Sequence, residues 1–398
     1  MELKLALISF FFPPDLSAGS FRADSIAKYL LEEYPEYDIH VITTSPNRYQ
    51  DYVCDYETYT INEKINIHRI NIKKHSGTFY SQAMSFLSFA IRAFYLLRKI
   101  KPNYLIGTSS RLMTAFFTAI YSRIFKCKYV IDLRDIFSET ISDILNKKSK
   151  FLSKQIRKIF FFIEVFTFKK ATRVNVVSEA FINYYQNASI DKKKWIFYPN
   201  GIDEEFLDFN FDRDKRENND KIITYAGNIG IAQSLHNIVP NIAMRLPRNF
   251  KFIIIGSGNG LNDLKQQVRK NALKNIEIIK PMNRKKLLDY YKNSDYLFLH
   301  LEPLKAFERV LPSKIFEYGA TGIPIIAGLS GYSMRFVEQN LKSACLFPPN
   351  NYELALECLN SKTKKSDYAN SVKFKKTFAR RKLMKLFAKE INSAFKEN

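Results

Sequence analysis

Short apolar segments alternate with longer segments of helical periodicity along the chain. The short segments have the length of buried strands, and a pattern typical of an amphipathic helix follows most of them. Because alternating strands and helices form parallel sheets covered by helices, the sequence predicts an α/β fold with doubly wound sheets. The predicted strands are 4–9, 39–43, 67–70, 104–107, 129–132, 174–177, 222–226, 252–256, 276–279, 296–300 and 323–327.

A polar stretch separates these strands into two sets. Residues 208–220 contain the charged run DRDKRENND, in which no apolar residue could anchor the chain. A length of 398 residues also suits two domains better than one. We therefore expect Rossmann-like domains over 1–205 and 206–370, and an amphipathic helix over 371–398 that packs back on the first domain.

The chain is strongly basic, with 62 Lys and Arg against 39 Asp and Glu and a formal net charge of +23. Such a surface attracts nucleic acid, anionic lipid or phosphorylated substrates. The 34 Phe and 23 Tyr suit a membrane interface, although an AT-rich genome would give the same enrichment. Nucleic-acid binding is not expected, because the sequence has no reader motif and no concentrated basic stripe.

The cysteines and the apolar runs indicate a cytoplasmic protein. Four cysteines lack the spacing of a disulfide framework or a zinc site, so we expect neither. Pro13 and Pro14 interrupt the apolar N-terminus and no cleavage pattern follows, which favours a buried strand over a signal peptide. The longest apolar runs, 86–97 and 159–168, are shorter than the roughly 20 residues that cross a bilayer, so no transmembrane helix is expected.

Glycine turns follow three of the predicted strands, at the sheet edge where open α/β sheets bind ligands. They contain Gly19, the sequence GNIG at 227–230 and the sequence GSGNG at 256–260. A glycine here lets the backbone approach a phosphate at a helix N-terminus. None has the full G-x-G-x-x-G spacing, so the residues alone leave open whether each is a ligand contact or a plain turn.

The segment 307–324 has the features of an anion site. Pro312 and Ser313 suit the first turn of a helix, whose exposed N–H groups favour an anion, and Lys314 adds a positive charge. Glu317 lies about one turn further along the same face, where a carboxylate can accept bonds from ribose hydroxyls. The alternative is a surface capping sequence with an incidental Lys and Glu.

Taken together, these segments resemble successive signatures of family 4 glycosyltransferases. The segments that carry the resemblance are VSE at 177–179, YPNGID at 198–203, GNIG at 227–230, GSG at 256–258, PSKIFEY at 312–318 and TGIP at 321–324. Residues 131–139 are similar to a segment of the subgroup that assembles O-antigen, capsule or exopolysaccharide.

The resemblance implies the GT-B fold, in which two Rossmann-like domains face each other across a cleft. It also implies that the second domain binds a UDP- or GDP-sugar and that a hexosyl or N-acetylhexosaminyl group is transferred with retention, with no metal or other cofactor. The implied acceptor is a saccharide linked to polyprenyl diphosphate at the inner face of a bacterial cytoplasmic membrane.

The resemblance also assigns roles to individual residues. Glu317 resembles the second Glu of the family's paired-Glu motif and is expected to bind the ribose. Glu308 resembles the first, a catalytic residue near the donor sugar. The usual position is occupied by Arg309, since eight residues separate the two Glu where the family has seven. Gly19 matches the glycine loop of the first domain, and Gly227, Ser313 and Lys314 complete the donor site.

Two neutral residues stand where many family members have Arg and Lys. These residues, Asn228 and Gln233, belong to the expected donor site but cannot neutralise a diphosphate. We therefore expect Lys314 to stabilise the leaving group, with Arg309 and Arg134 as further candidates.

No histidine falls where the family often has a catalytic one, and Asp135 lies closest to that region. It would orient the acceptor or act as its base. The alternative for Asp135 is a solvated or helix-capping side chain.

Two other functions of this architecture stay open. A nucleotide-sugar 2-epimerase uses His and several carboxylates in its cleft, and the chain is poor in both. A non-catalytic partner subunit would bind nucleotide without turnover. Measurement of donor hydrolysis or transfer separates these functions.

Basic residues flank a strongly apolar centre in the segment Lys147 to Lys170. A helix of this composition can lie along an anionic membrane, with its rings at the acyl boundary and its cations among the headgroups. The alternative is an ordinary helix whose Phe side chains pack on the first sheet.

Overall fold

The computed structural model describes residues 3–15, 17–46, 62–72, 79–146, 149–212, 220–360 and 366–397. The chain forms two compact units, residues 1–200 with 380–398, and residues 201–379. Most of the polar run before residue 220, and Lys147 and Lys148 of the basic segment, lie outside the described residues.

A parallel sheet forms the centre of the first unit. Its strands are β1 (Leu3–Ile8), β2 (Tyr37–Thr44), β3 (Ile65–Ile70), β4 (Tyr104–Thr108), β5 (Lys128–Leu133), β6 (Arg173–Val176) and β7 (Trp195–Phe197). They lie in the order β3-β2-β1-β4-β5-β6-β7. The interior strand β1 is apolar apart from Lys4, and its last four residues are fully buried, as in sheets covered on both faces.

Helices connect the strands of the first unit because parallel strands require crossover connections. They are α1 (Ala18–Glu33), α2 (Phe79–Ile100), α3 (Leu112–Phe125), α4 (Phe137–Asn146), α5 (Lys150–Lys169) and α6 (Ala180–Tyr184). Helix α1 begins at an N-cap, where the Ser17 hydroxyl accepts from the Ser20 N–H.

The second unit has a smaller parallel sheet of the same kind. Its strands are β8 (Lys221–Asn228), β9 (Phe250–Ser257), β10 (Ile276–Ile279), β11 (Tyr296–His300), β12 (Ile325–Gly328) and β13 (Ala344–Phe347). Their order is β10-β9-β8-β11-β12-β13. The helices are α7 (Glu204–Asp208), α8 (Leu235–Ala243), α9 (Leu261–Lys270), α10 (Arg284–Lys292), α11 (Ser313–Thr321), α12 (Gly331–Asn340), α13 (Tyr352–Asn360) and α14 (Tyr368–Phe378).

The last helix, α15 (Arg380–Lys396), returns to the first unit and packs along α1. Its buried side chains include Met384, Phe387 and Ile391, which join the hydrophobic core around β1 and β2. The Phe395 ring stacks on Tyr104 with 4.4 Å between centroids. The first unit therefore contains the final residues of the chain in its core.

The C-terminal region differs from the single helix expected over 371–398. Helix α14 ends at Phe378, Ala379 is extended with ψ 123°, and α15 begins at Arg380. The extended residue pairs with the segment that enters the second unit, where the Ile202 N–H donates to the Phe378 carbonyl at 2.8 Å. The sequence has helical periodicity before and after Ala379, but this backbone pairing interrupts the helix there.

Within the described residues the structure contains all the predicted strands and two more, β7 and β13. The strand β7 has only three residues, too few to show a pattern, and β13 is an edge strand in which two of the four residues are only half-buried. The expectation of no disulfide is wrong, because Cys345 and Cys358 are bonded, with 5.7 Å between their Cα atoms. An edge strand and the following helix bring these cysteines together, and their spacing gave no signal of it.

Candidate functional site

Two glycine turns meet at the carboxyl ends of β8 and β9 in the second unit. Gly227 and Gly256 are partners in the parallel register, and both have positive φ, 155° and 152°. A Cβ on Gly256 would collide with the carbonyl oxygen of Gly227. Glycine is required at these positions because the two backbones are in contact. Since neither residue has a side chain, the ends of the strands stay open to a ligand.

The start of α11 lies beside this pair of turns. A Cβ on Gly227 would be 3.1 Å from Cε of Lys314, so the lysine stem crosses the turn. The Lys314 ammonium donates to Glu317 Oε2 at 2.7 Å, and the Glu317 side chain is largely buried. Ser313 is the first residue of the helix and follows Pro312 at the N-cap. The structure thus brings together Gly227, Ser313, Lys314 and Glu317.

Arg284, at the start of α10, is a fifth member that the sequence analysis missed. One terminal nitrogen of its guanidinium donates to Asp203. The other, Nη2, lies 4.0 Å from Glu317 Oε1. The motif around Glu317 gave no signal of this residue, because Arg284 precedes it by more than 30 positions.

Asn228 and Gln233 bond to each other. The Asn228 amide donates to Gln233 Oε1 at 3.1 Å, and the Gly230 N–H donates to the same oxygen at 3.2 Å. The side chains thus close the turn after β8, a role that requires no charge. Whether either also contacts a donor stays a prediction.

A buried histidine supports this turn from β11. His300 Nδ1 lies 2.8 Å from the Gln233 carbonyl, and Nε2 accepts from the Asn350 N–H at 2.9 Å. Burial lowers the pKa of His300 to about 4, so the ring is neutral at physiological pH and its proton is on Nδ1. His300 therefore holds the turn in place as a neutral donor and acceptor.

Glu308 is exposed in a short 3₁₀ turn at 305–309, before the start of α11. Its backbone lies against Gly331, whose Cβ would be 2.7 Å from Glu308 Cα. Among the contacts of the described residues, none joins the Glu308 carboxylate to Lys314 or Glu317. Its assignment to the donor sugar stays a prediction.

The first unit has a separate cluster at the ends of β1, β4 and β5. A Cβ on Gly19 would be 2.5 Å from the Ser110 hydroxyl and 3.6 Å from Nε of Arg134. The Arg134 side chain is 9% exposed, its Nη2 donates to Asn200 at 3.1 Å, and its buried Nη1 lies 3.9 Å from Asp132 Oδ2 without a hydrogen bond to any described residue. Gly19 and Arg134 thus lie together at the start of α1.

An ion pair buried in the core supports this cluster. The Arg22 guanidinium bonds both oxygens of Asp132 at 3.0 and 2.9 Å and donates to the carbonyls of Pro199 and Tyr198. Burial lowers the pKa of Arg134 to about 10, Asp132 opposes this change, and Arg22 adds to it. Arg134 therefore remains charged at neutral pH.

Asp135 follows this cluster and is exposed. It lies between the end of β5 and the start of α4, in the region where the acceptor base was expected. Arg309, the other further candidate to stabilise the leaving group, lies in the 3₁₀ turn of the second unit. The roles of both residues stay predictions.

Two properties of the described residues concern metals and membranes. No group of three or more His, Cys, Asp or Glu within them could hold a metal ion. None of the helices in the described ranges is long and apolar enough to cross a bilayer.

The two parallel sheets define a two-unit α/β protein, in which the touching glycine turns and the Lys314–Glu317 pair lie at the carboxyl ends of the second sheet, where open α/β sheets bind ligands. The family described as glycosyl transferases group 1 matches residues 208–376. This match confirms, for that part of the chain, the resemblance inferred from the sequence.

The sequence is also similar to WcaI of Escherichia coli (strain K12), whose name gives it as a colanic acid biosynthesis glycosyl transferase. The two are 24% identical over 246 residues, 59% of this chain and 60% of WcaI. The matched region therefore spans less than two thirds of that relative.

Two solved structures show the fold over nearly the whole chain. Sucrose-phosphate synthase from Thermosynechococcus elongatus has a TM-score of 0.74 at 11% identity, covering 98% of this chain and 99% of that one. Anabaena HepE in complex with UDP-glucose has a TM-score of 0.69 at 13% identity with the same coverage. The predicted fold class, two parallel α/β units of the GT-B type, is confirmed.

Proposed function

We propose that the protein transfers a sugar from a nucleoside-diphosphate sugar to an acceptor, with retention of configuration and without a metal. The observation that carries the proposal is the Lys314–Glu317 pair at the first turn of α11, which lies over the Gly227 turn. It supplies a cation and helix N–H groups for a diphosphate and a carboxylate for ribose hydroxyls. That HepE is solved with UDP-glucose supports a nucleotide-sugar donor.

Transfer breaks the bond between the anomeric carbon and the diphosphate oxygen, and it forms a bond to an acceptor hydroxyl. The diphosphate leaves with added negative charge, which Lys314 would stabilise. The acceptor proton goes to a base, and Asp135 is our candidate. Glu308 would contact the donor sugar.

The acceptor in this proposal is a saccharide linked to polyprenyl diphosphate, in the synthesis of a bacterial surface polysaccharide such as O-antigen or capsule. Two observations support it. The similarity to WcaI connects the chain with colanic acid biosynthesis. The buried Arg134 guanidinium and the N-terminus of α1 offer positive charge in the first unit.

The surface of the first unit supports a peripheral position on the inner face of the cytoplasmic membrane. Helix α5 buries Glu164 and Phe168 but exposes Phe151, Ile159 and Phe162, which are 76, 59 and 69% accessible. The inner side of this helix therefore packs as an ordinary helix does, whereas its outer side carries exposed rings next to exposed lysines.

Helix α2 of the same unit also exposes an apolar face. Its exposed large side chains recur at intervals of three and four residues, on one face of the helix. They are Met84, Leu87, Ile91 and Tyr95. A stripe of this kind suits the acyl boundary, and the neighbouring exposed Arg92, Arg98 and Lys99 suit anionic headgroups.

The proposal is tested with the purified full chain. Nucleotide sugars are screened by thermal shift, and each stabilising donor is then assayed for hydrolysis and for transfer to lipid-linked saccharides. We expect stabilisation by one UDP- or GDP-sugar and turnover that Glu317→Ala lowers at least tenfold. Interconversion of two nucleotide sugars would indicate an epimerase, and nucleotide binding without turnover would indicate a partner subunit.

A further inference from the structure

Arg284 connects Glu317, the carboxylate proposed to bind the ribose, with other parts of the second unit. It begins α10, its side chain is largely buried, and its guanidinium extends toward α11. One nitrogen bonds Asp203, which lies just before α7, and the same nitrogen is 3.9 Å from Glu205. The planar guanidinium can hold carboxylates on two sides because its donors have fixed directions.

We infer that Arg284 positions Glu317 for the ribose hydroxyls and keeps the carboxylate in place when Lys314 moves to the diphosphate. This inference rests on the proposed binding of a nucleoside diphosphate at Glu317. Lys314 bonds Glu317 at Oε2, and Arg284 lies on the side of Oε1.

The two cations differ in how firmly they are held. Lys314 has a flexible stem, and its ammonium bonds Glu317 itself. Arg284 is anchored to Asp203 on its other side, so it cannot follow the phosphates without breaking that pair. When the ammonium turns to the diphosphate, Arg284 is the cation that stays beside Glu317.

Charge balance also requires a cation at this position. Arg284 faces the carboxylates of Asp203, Glu205 and Glu317, and Lys314 shares the last of them. A buried carboxylate that loses its partner is strongly destabilised. A movement of about 1 Å would convert the 4.0 Å separation into a charge-assisted hydrogen bond.

The experiment measures the preference for the ribose 2′-hydroxyl. Dissociation constants for UDP and for 2′-deoxy-UDP are determined by calorimetry on the full chain, and their ratio is compared between variants. We expect a ratio of about tenfold in the unaltered protein, because the carboxylate bond to the hydroxyl is charge-assisted. Arg284→Gln should lower this ratio of dissociation constants to less than about twofold, and Glu317→Gln should do the same. If the chain prefers GDP in the donor screen, the guanosine pair replaces the uridine pair.

The matched control is Lys285→Gln, which removes a positive charge from the exposed neighbouring position on α10. Its ratio should equal that of the unaltered protein. A second variant, Asp203→Asn, leaves the guanidinium in place but weakens its anchor, and it should give an intermediate ratio. Circular dichroism and the melting temperature report whether each variant is folded.

The outcomes separate this inference from the proposed function. No preference for UDP over 2′-deoxy-UDP in the unaltered protein would remove Glu317 from the ribose 2′-hydroxyl and overturn this inference, whereas the proposed function is overturned by the absence of turnover in the donor assay. A preference that Glu317→Gln abolishes, but that Arg284→Gln and Asp203→Asn leave intact, would overturn the role of Arg284 alone. If Arg284→Gln does not fold, an unchanged ratio in Asp203→Asn overturns the inference.

Discussion

Buried charges in the two units show what individual residues contribute beyond their sequence motifs. Arg22 is fully buried and binds Asp132 together with two backbone carbonyls of the YPNG segment at 198–201. In the sequence it is one of 62 basic residues, and nothing local distinguishes it. Lys314 and Glu317 could be predicted because a motif places them one helical turn apart, whereas Arg22 and Arg284 acquire partners only through the tertiary fold.

Replacement of Lys314 tests its role in the chemical step. Lys314→Ala should lower kcat more than it weakens UDP binding, because the charge on the leaving diphosphate is greatest in the transition state. Kinetics with the identified donor and calorimetry with UDP measure the two effects. Equal losses in both would indicate simple binding, and Lys305→Ala, at an exposed position before α11, is the control.

At the scale of elements, a carboxylate joins two helices of the first unit. Glu164 on α5 accepts from the Ser138 N–H at 2.9 Å and from the Ser138 hydroxyl at 2.5 Å, in the first turn of α4. Burial raises the pKa of Glu164 from 4.5 to about 7, and the bonds from Ser138 oppose this rise. The helix with the exposed rings is thereby connected to the helix that follows Asp135.

This group makes stability depend on pH in a defined direction. Between pH 4.5 and 7 the native protein holds a proton on Glu164 that the unfolded chain has lost. The contribution of Glu164 to the free energy of unfolding is therefore complete below pH 4.5, and it is lost as the pH rises through about 7. Urea unfolding at pH 5 to 8 should show this decrease, at most about 3 kcal/mol, and Glu164→Gln should remove it.

The control for this measurement is Glu36→Gln, at an exposed position before β2. It should keep the pH dependence of the unaltered protein. The same slope in Glu164→Gln would contradict the assignment to Glu164.

Helices and strands could be predicted from the sequence where the pattern of apolar positions was clear. Strands such as β8 and β9 are eight residues long and end in glycine turns, and they were identified. The strand β7 was missed because its three half-buried residues have no period. The break at Ala379 was also missed, because it depends on pairing with Ile202, which is remote in sequence.

At the scale of the whole molecule, the net charge of +23 accompanies an uneven distribution of exposed apolar side chains. Most of the large hydrophobic side chains exposed among the described residues belong to helices α2 to α5. Basic residues near an anionic surface contribute about 1 kcal/mol each. This combination favours an anionic membrane over a neutral one as the partner of these helices.

Liposome cosedimentation tests that partner. We expect binding to anionic and not to zwitterionic liposomes, weakened by salt and by Phe162→Ser combined with Lys158→Glu. Phe162 is the appropriate target because Phe161 is half-buried and its ring stacks on Tyr185. Val372→Ser with Lys373→Glu, an exposed pair in the second unit, should have no effect. Equal partition into both liposome types would exclude this surface.

The return of α15 to the first unit has a consequence for biosynthesis. A ribosome that makes this chain synthesises residues 201–379 before the helix that completes the core around β1 and β2. At about 5–20 residues per second, those 179 residues take on the order of ten to thirty-five seconds. During that interval the groove along α1 that later receives Met384 and Phe387 is uncovered, so the nascent first unit exposes apolar surface of the kind that chaperones bind.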